Sequence, residues 1–225
     1  MPQLSVIIPV YNEAGTIGQI LEKVNGIAID KEIIVVDDGS SDGTDRILRG
    51  LHYQALKIIH HTRNRGKGAA FLTALANASG EFVIIQDADL EYDPSEYLKL
   101  IEEIKKDNIA LVLGVRFREG YRGLLIPKLG NRFLAGLLNI LFGAQINDFL
   151  TCYKLMRSST FIELGLKAQG FGIDAEIVIK ALKKGLKIEQ VPITYRPRSY
   201  KEGKKIKLID GLRYIVNIIK YRFSN

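Results

Sequence analysis

Residues 4–44 read LSVIIPVYNEAGTIGQILEKVNGIAIDKEIIVVDDGSSDGT. The runs Leu4–Val10 and Glu32–Asp37 are short, β-branched and continuously apolar, the composition of strands buried on both faces of a parallel sheet. Between them, residues 14–25 carry helical spacing. The same alternation continues downstream. LKIIHH (56–61), EFVIIQDAD (81–89) and ALVLGVR (110–116) read as strands. Residues 44–51, 67–78 and 94–106 read as helices, the last opened by Asp93 as a cap with Pro94 at the first helical position. Strand and helix in repeated alternation predict an α/β fold: a mostly parallel sheet with right-handed crossovers, flanked by helices.

After Arg116 the pattern changes. Residues 117–131, FREGYRGLLIPKLGN, form a basic, glycine-rich stretch long enough to be a functional loop. A helix at 132–142, a strand at 151–156 and a helix at 173–184 follow. KIEQVPITYRPR (187–198) reads as a strand whose proline places it at an edge or near its end. Residues 204–223 form a helix with Ile206, Ile209, Leu212, Ile215, Val216 and Ile219 largely on one face, and Lys205, Arg213, Lys220 and Arg222 around it. That face fits either packing on the sheet or contact with a membrane surface. The expected organisation is a single domain over 1–225, with a C-terminal amphipathic helix at 206–225.

The chain has 225 residues, 47% of them hydrophobic and 25% charged, ample for a large core. One cysteine excludes an internal disulfide and a cysteine-only zinc site, and three histidines are too few for a histidine metal cluster. A metal would need oxygen ligands. The opening MPQLSVIIPVYNE has no secretory-signal pattern and no stretch reaches the ~20 apolar residues of a membrane span, so the expectation is a cytoplasmic, non-spanning chain, able to rest on the inner face of the membrane. The net charge of +7 favours anionic partners: nucleotide phosphates, nucleic acid or an acidic membrane.

In open α/β sheets ligands bind beyond the carboxyl ends of the strands. Those ends carry Pro9-Val10-Tyr11-Asn12-Glu13, Asp37-Asp38-Gly39-Ser40 and Gln86-Asp87-Ala88-Asp89-Leu90-Glu91. Neither a phosphate-cradling Gly-x-x-x-x-Gly-Lys loop nor a Gly-x-Gly-x-x-Gly turn is present. Carboxylates two apart at a strand end project to one side, so Asp87 and Asp89 suit magnesium or manganese, with positions left for substrate phosphates. Capping of the next helix, the alternative task for them, already falls to Asp93. Asp37 and Asp38 can accept from a nucleobase or ribose, or stabilise an Asp-Gly-Ser turn, one aspartate in each role. Asn64-Arg65-Gly66-Lys67-Gly68 opens a helix where N–H groups and cations can face a phosphate, or stand as a solvated basic loop.

SVIIPVYNE, VVDDGSSDGT, NRGKGAA and QDADLEYDP, in this order, resemble the family-two glycosyltransferases of the Rossmann-like GT-A fold. Within that family the chain is similar to the dolichyl-phosphate mannose synthase and dolichyl-phosphate glucose synthase branch. The resemblance covers essentially the whole chain. It implies a nucleotide-sugar donor, a divalent metal (Mg2+ or Mn2+) and inversion at the anomeric carbon. By position, Pro9, Tyr11, Glu13, Asp37 or Asp38, Lys67 and Asp87-Ala88-Asp89 would line the nucleotide sugar. Asp87 and Asp89 would hold the metal with Glu91 beside it, where the branch often has glutamine. Arg116 and Arg132 match basic residues of the acceptor segment. DFLTCYK (148–154) resembles the branch's Asp-x-x-x-Gly-Phe-Lys/Arg string with Cys152 in place of glycine. RSYKEGK (198–204) resembles Arg-x-Tyr-Gly-Glu-Ser-Lys, departing at Lys201 and Gly203 and keeping Arg198 and Lys204 for the diphosphate. Residues 1–116 then form the nucleotide-sugar half and 117–205 the acceptor half.

Transfer to a hydroxyl needs a general base, whereas a phosphate acceptor is already ionised near neutral pH. Arg116, Arg118, Arg122, Lys128 and Arg132, with Glu119 the one acid among them, suit an anionic acceptor. The expected reaction moves a hexose from a GDP-mannose or UDP-glucose type donor to a polyprenyl (dolichyl or undecaprenyl) phosphate. Asp89, Arg116, Arg132, Arg198 and Lys204 are its expected catalytic groups. Asp148 and Asp174 are the candidates for a base, each better suited to capping or to pairing a buried cation. Transfer to a hydroxyl of a growing glycan or glycolipid is the alternative. A nucleotidyltransferase would show a glycine-rich basic loop after the first strand, where Tyr11-Asn12-Glu13 stands. A nucleic-acid-binding module leaves the aspartate pair unexplained.

Overall fold

The apolar runs become the strands of one sheet. The computed structural model describes residues 1–116, 125–198 and 208–223. In chain order the elements are β1 (Leu4–Val10), α1 (Ile17–Asn25), β2 (Lys31–Asp37), α2 (Thr44–Arg49), β3 (Leu56–His60), α3 (Lys67–Leu75), β4 (Phe82–Ile85), α4 (Tyr97–Ile104), β5 (Ile109–Val115), α5 (Leu125–Phe142), β6 (Lys154–Arg157), α6 (Ser158–Glu163), α7 (Ile173–Lys183), β7 (Lys187–Pro192) and α8 (Leu208–Phe223). A 3-10 turn, Pro94–Glu96, precedes α4, and the Asp93 side chain accepts from Ser95 N as the expected cap.

The strand order is β3-β2-β1-β4-β6-β5-β7. β1, β2, β3 and β4 are mutually parallel, and β5 pairs parallel with β7. Among the described strands only β6 runs the other way, between β4 and β5. One reversed strand has a consequence for the site: residues 151–154, which lead into β6, arrive at the same edge as the carboxyl ends of the other six. The central strands are buried as their composition requires, with Val6–Ile8, Ile33–Val36 and Phe82–Ile85 inaccessible. Pro9 sits on β1 past the last residue paired with β4, where its missing N–H leaves no ladder bond unmade.

Several boundaries differ from the sequence reading. LKIIHH was expected to be buried on both faces, but β3 is an edge strand with half-exposed side chains. The helix expected from Arg132 begins at Leu125, because Pro127 lies in its first turn, where a missing N–H costs nothing. α6 had no counterpart in the reading. β7 ends at Pro192 on the sheet's edge, as the proline requires. On α8 the expected apolar face is not the buried one: Leu212, Val216 and Ile219 are exposed and Ile215 half-buried, whereas Tyr214 and Ile218, outside that face, are buried. The helix packs against both α5 and α7. Ile206 and Lys204 lie outside the described residues, as do Arg118, Glu119 and Arg122.

Candidate active site

The loops after β1 and β2 are bonded to each other across the edge. Asn12 N donates to Ser40 Oγ (2.9 Å), Ser41 N to Asn12 Oδ1 (2.8 Å), Glu13 N to Thr44 Oγ1 (3.0 Å) and Ala14 N to Asp42 Oδ2 (3.0 Å). Asn12 holds φ of 50° and Leu90, just past Asp89, holds 63°. Left-handed backbone costs a bulky residue energy and concentrates at sites that the surroundings over-determine. Gly39, at φ +74°, lies so close to Arg63 that a Cβ would stand 2.7 Å from its carbonyl carbon.

Asp38 is the staple of this arrangement. Its carboxylate accepts from Arg65 N (2.9 Å) and Gly66 N (2.7 Å) and meets His61 Nδ1 at 2.7 Å, while His61 Nε2 meets Thr73 Oγ1 at 2.9 Å. Asp37 accepts from Ser40 N at 3.0 Å and lies 3.3 Å from His60 Nδ1. Both aspartates are thus buried and engaged within the protein: Asp37 closes the turn through Ser40 N, and Asp38 ties that turn to residues 61–66. The phosphate-cradle reading of residues 64–68 needs correction for the same reason. Arg65 N and Gly66 N face Asp38, and Ala69 N donates to Gln169 O at 2.9 Å.

Lys67 turns inward as well. Its ammonium lies 2.9 Å from Asp87 Oδ1 and 3.2 Å from Asp174 Oδ2, and Asp174 Oδ1 lies 3.1 Å from Lys154 Nζ. Asp87, Lys67, Asp174 and Lys154 therefore form a chain of alternating charge at the strand edge. Burial opposes the charge on Lys67, but Asp174 and Asp87 outweigh it and raise its pKa well above the ordinary lysine value. Burial likewise works to raise Asp174, and Lys154 and Lys67 overcome it, holding the carboxyl below its usual range. Lys154 goes the other way, lowered by burial.

Arg198 arrives from the far end of the chain and lies across the neighbouring carboxylates. It forks onto Glu13 (Nη1–Oε2 3.0 Å, Nη2–Oε1 3.1 Å) and reaches Asp89 Oδ2 at 3.0 Å. Glu91 holds the backbone that delivers it, accepting from Arg198 N (2.6 Å) and from Tyr195 Oη (2.7 Å). Both oxygens of Glu91 are thereby engaged, which gives it a structural task where a metal-side role was expected. Tyr11 is partly exposed at the rim, Pro9 half-buried, and Ala88 buried between the two aspartates.

The acceptor-side residues separate. Arg116 is nearly buried and grips Asp148 with Nε and Nη2 (2.8 Å each), its backbone N adding a third bond at 3.1 Å. Its guanidinium also lies over the Tyr195 ring, 5.3 Å from the centroid. Arg132 is exposed on α5. Sequence reasoning had Asp148 and Asp174 as candidate bases, and geometry makes both the partners of buried cations. It missed Tyr195 and His61, which carry no motif signal.

The donor chemistry suits a divalent cation. Burial, and then the nearby charges of Asp87 and Glu91, push Asp89 up to about 7, against the pull of Arg198. Carboxylates crowded to that degree are relieved by a dication. Among the described residues no three His, Cys, Asp or Glu side chains are gathered around one point. Asp87 and Asp89 instead each meet a protein cation, Lys67 and Arg198.

The low-salt glycan biosynthesis hexosyltransferase Agl6 of Haloferax volcanii is 30% identical over 234 residues, covering 99% of this chain and 55% of the relative. The dolichol-phosphate mannosyltransferase of Pyrococcus furiosus is 30% identical over 232 residues, covering 97% of this chain and 64% of the relative. The chain thus spans less than two thirds of either relative's length. Among solved structures, glucosyl-3-phosphoglycerate synthase from Mycobacterium tuberculosis, in complex with Mn2+, uridine diphosphate and glucosyl-3-phosphoglycerate, superposes with a TM-score of 0.76. It covers all of this chain and 81% of that one at 23% identity, a likeness of fold. Residues 5–165 match the profile described as Glycosyl transferase family 2, and the chain belongs to that family of glycosyltransferases.

Proposed function

We propose that this protein transfers a hexose from a nucleoside diphosphate sugar to a polyprenyl phosphate, with inversion at the anomeric carbon. The observation that carries the reading is the state of the two candidate bases. Asp148 is closed by Arg116 from both oxygens, and Asp174 lies between Lys67 and Lys154 with its pKa held down. Carboxylates so engaged are poor proton acceptors for a sugar hydroxyl. A phosphate oxyanion needs no such group.

Tyr11, Glu13 and Asp37 line the nucleoside side of the edge. Asp87 and Asp89 would hold Mg2+ or Mn2+, which supplies Lewis-acid neutralisation of the leaving diphosphate. Arg198, two bonds from Glu13 and one from Asp89, adds charge stabilisation beside them. Arg116 orients the acceptor side through Asp148 and Tyr195, and exposed Arg132 offers charge to the acceptor phosphate. The name of the Pyrococcus relative, a dolichol-phosphate mannosyltransferase, agrees with a lipid phosphate acceptor.

A lipid acceptor is reached at a membrane surface. Among the described residues no helix is long and apolar enough to cross a bilayer. On α8, however, Leu212, Val216, Ile219 and Phe223 recur at helical spacing and are exposed, with Arg213, Lys220 and Arg222 alongside. Such a stripe suits peripheral contact with an anionic membrane. The test is transfer from a panel of labelled nucleotide sugars to a polyprenyl phosphate, the matching polyprenyl alcohol and free oligosaccharides. Transfer to the phosphate is expected. Preference for the alcohol or the oligosaccharide would overturn the reading in favour of glycan extension.

A further inference from the structure

We infer that Arg198 is the resident cation of the donor site: it holds Asp89 in the empty enzyme and surrenders it only when a diphosphate offers the guanidinium another partner. The inference rests on the reading above that Asp89 takes a divalent cation.

Both oxygens of Asp89 are already engaged. Oδ1 accepts from Glu91 N at 3.1 Å, and Oδ2 accepts from Arg198 Nη2 at 3.0 Å. The first bond closes a tight turn two residues long and is fixed by the backbone. A cation that takes Asp89 therefore competes with the guanidinium.

Lys67 provides the contrast. It too stands against one aspartate of the pair, but the buried carboxylate of Asp174 holds it from the other side. Its backbone is fixed at the start of α3, where Gly68 presses on the chain at Ala168. Arg198 is differently held. Its backbone N is pinned by Glu91 Oε1 at 2.6 Å, a bond that fixes the main chain and does not involve the guanidinium. Its Nε is buried without a hydrogen-bond partner among the described residues. A guanidinium with an unmet buried donor gains by re-pairing, and phosphate oxygens match its planar fork in pairs. Anchored main chain, incompletely satisfied head group and a carboxylate that a dication needs together describe an exchange. Arg198 leaves Glu13 and Asp89 for the diphosphate, and the vacated carboxylate is then free for the metal that accompanies that diphosphate. Metal alone is held off, so the site fills with metal and donor together.

The exchange predicts that removing the guanidinium makes the empty enzyme a better metal binder. Mn2+ binding to the purified full chain, with no nucleotide present, is read from the free-ion electron paramagnetic resonance signal. Arg198→Gln should bind Mn2+ about tenfold tighter than the wild type, within the usual range of site-to-site coupling. Arg198→Lys, which keeps the charge, should stay near the wild-type affinity, and adding Asp89→Asn to Arg198→Gln should abolish the gain. The same Arg198→Gln protein should bind nucleoside diphosphate more weakly in calorimetry. Equal Mn2+ affinity in wild type and Arg198→Gln, with Asp89 still required, would overturn the exchange and leave the metal reading standing. Absence of Mn2+ binding to both proteins, with and without nucleoside diphosphate, would overturn the metal reading itself and the exchange with it.

Discussion

Around the carboxyl ends of β1, β2 and β4, nearly every polar group meets another across the edge: Asn12 with Ser40 and Ser41, Glu13 with Thr44 and Arg198, Asp38 with Arg65, Gly66 and His61. On the outer surfaces of α5 and α8 the situation is reversed, with Leu129, Phe133, Ile140, Leu212, Val216 and Phe223 exposed. The first region spends hydrogen bonds and ion pairs to fix geometry before a ligand arrives. The second leaves apolar area uncovered, on the helices that the proposed function turns toward a lipid surface. Under the proposed function the charged edge would serve the water-soluble donor and the apolar stripe the lipid acceptor.

The comparison can be broken by mutation. Asp89→Ala removes the carboxylate that Arg198 meets, and transfer should fall by roughly a hundredfold or more with the melting temperature little changed. A variant that keeps full activity would remove Asp89 from the chemistry. Asp148→Asn acts on stability first, since it strands the nearly buried Arg116. Breaking such a pair costs about 3–5 kcal/mol, which denaturant unfolding will register. A stable Asp148→Asn protein whose kcat alone collapses would restore Asp148 as a base.

Asp37 and Asp38 should part company. Asp38→Ala leaves Arg65 N, Gly66 N and His61 without their acceptor and should cost about 1–3 kcal/mol of stability. Asp37→Ala should weaken nucleoside diphosphate binding with a smaller loss of stability, measured by calorimetry and thermal melting in parallel. Equal effects from both would refute this distinction. The smallest change in stability is expected on α8: Leu212→Ser with Val216→Ser should stay within about 0.5 kcal/mol of the wild type. The same pair should weaken sedimentation with anionic vesicles. Unaltered vesicle binding would assign the exposed stripe to something other than a membrane.

What the residues disclosed follows the range of the forces involved. The buried strands announced themselves because four consecutive β-branched residues, as in Ile33–Val36, have few other uses. Asp93 with Pro94 marked a helix start because capping is local. The direction of β6 was not legible: Lys154–Arg157 pairs antiparallel with strands on both sides, and nothing within four residues encodes direction. The same limit hid the partners of the charged side chains. Arg116 and Asp148 are 32 positions apart, Lys67 and Asp174 are 107 apart, and Arg198 and Glu13 are 185 apart. Spacing along the chain could nominate Lys67 and Arg116 as cations for ligands, but only the closed sheet shows which cations already have carboxylates.

The central claim is that sugar transfer runs through the carboxylate edge with a divalent cation. Its most direct test is turnover of a labelled nucleotide sugar with polyprenyl phosphate, before and after chelation, followed by return of Mn2+ or Mg2+. The account predicts that transfer disappears in chelator and returns with the metal. Transfer that continues undiminished in excess chelator would contradict it.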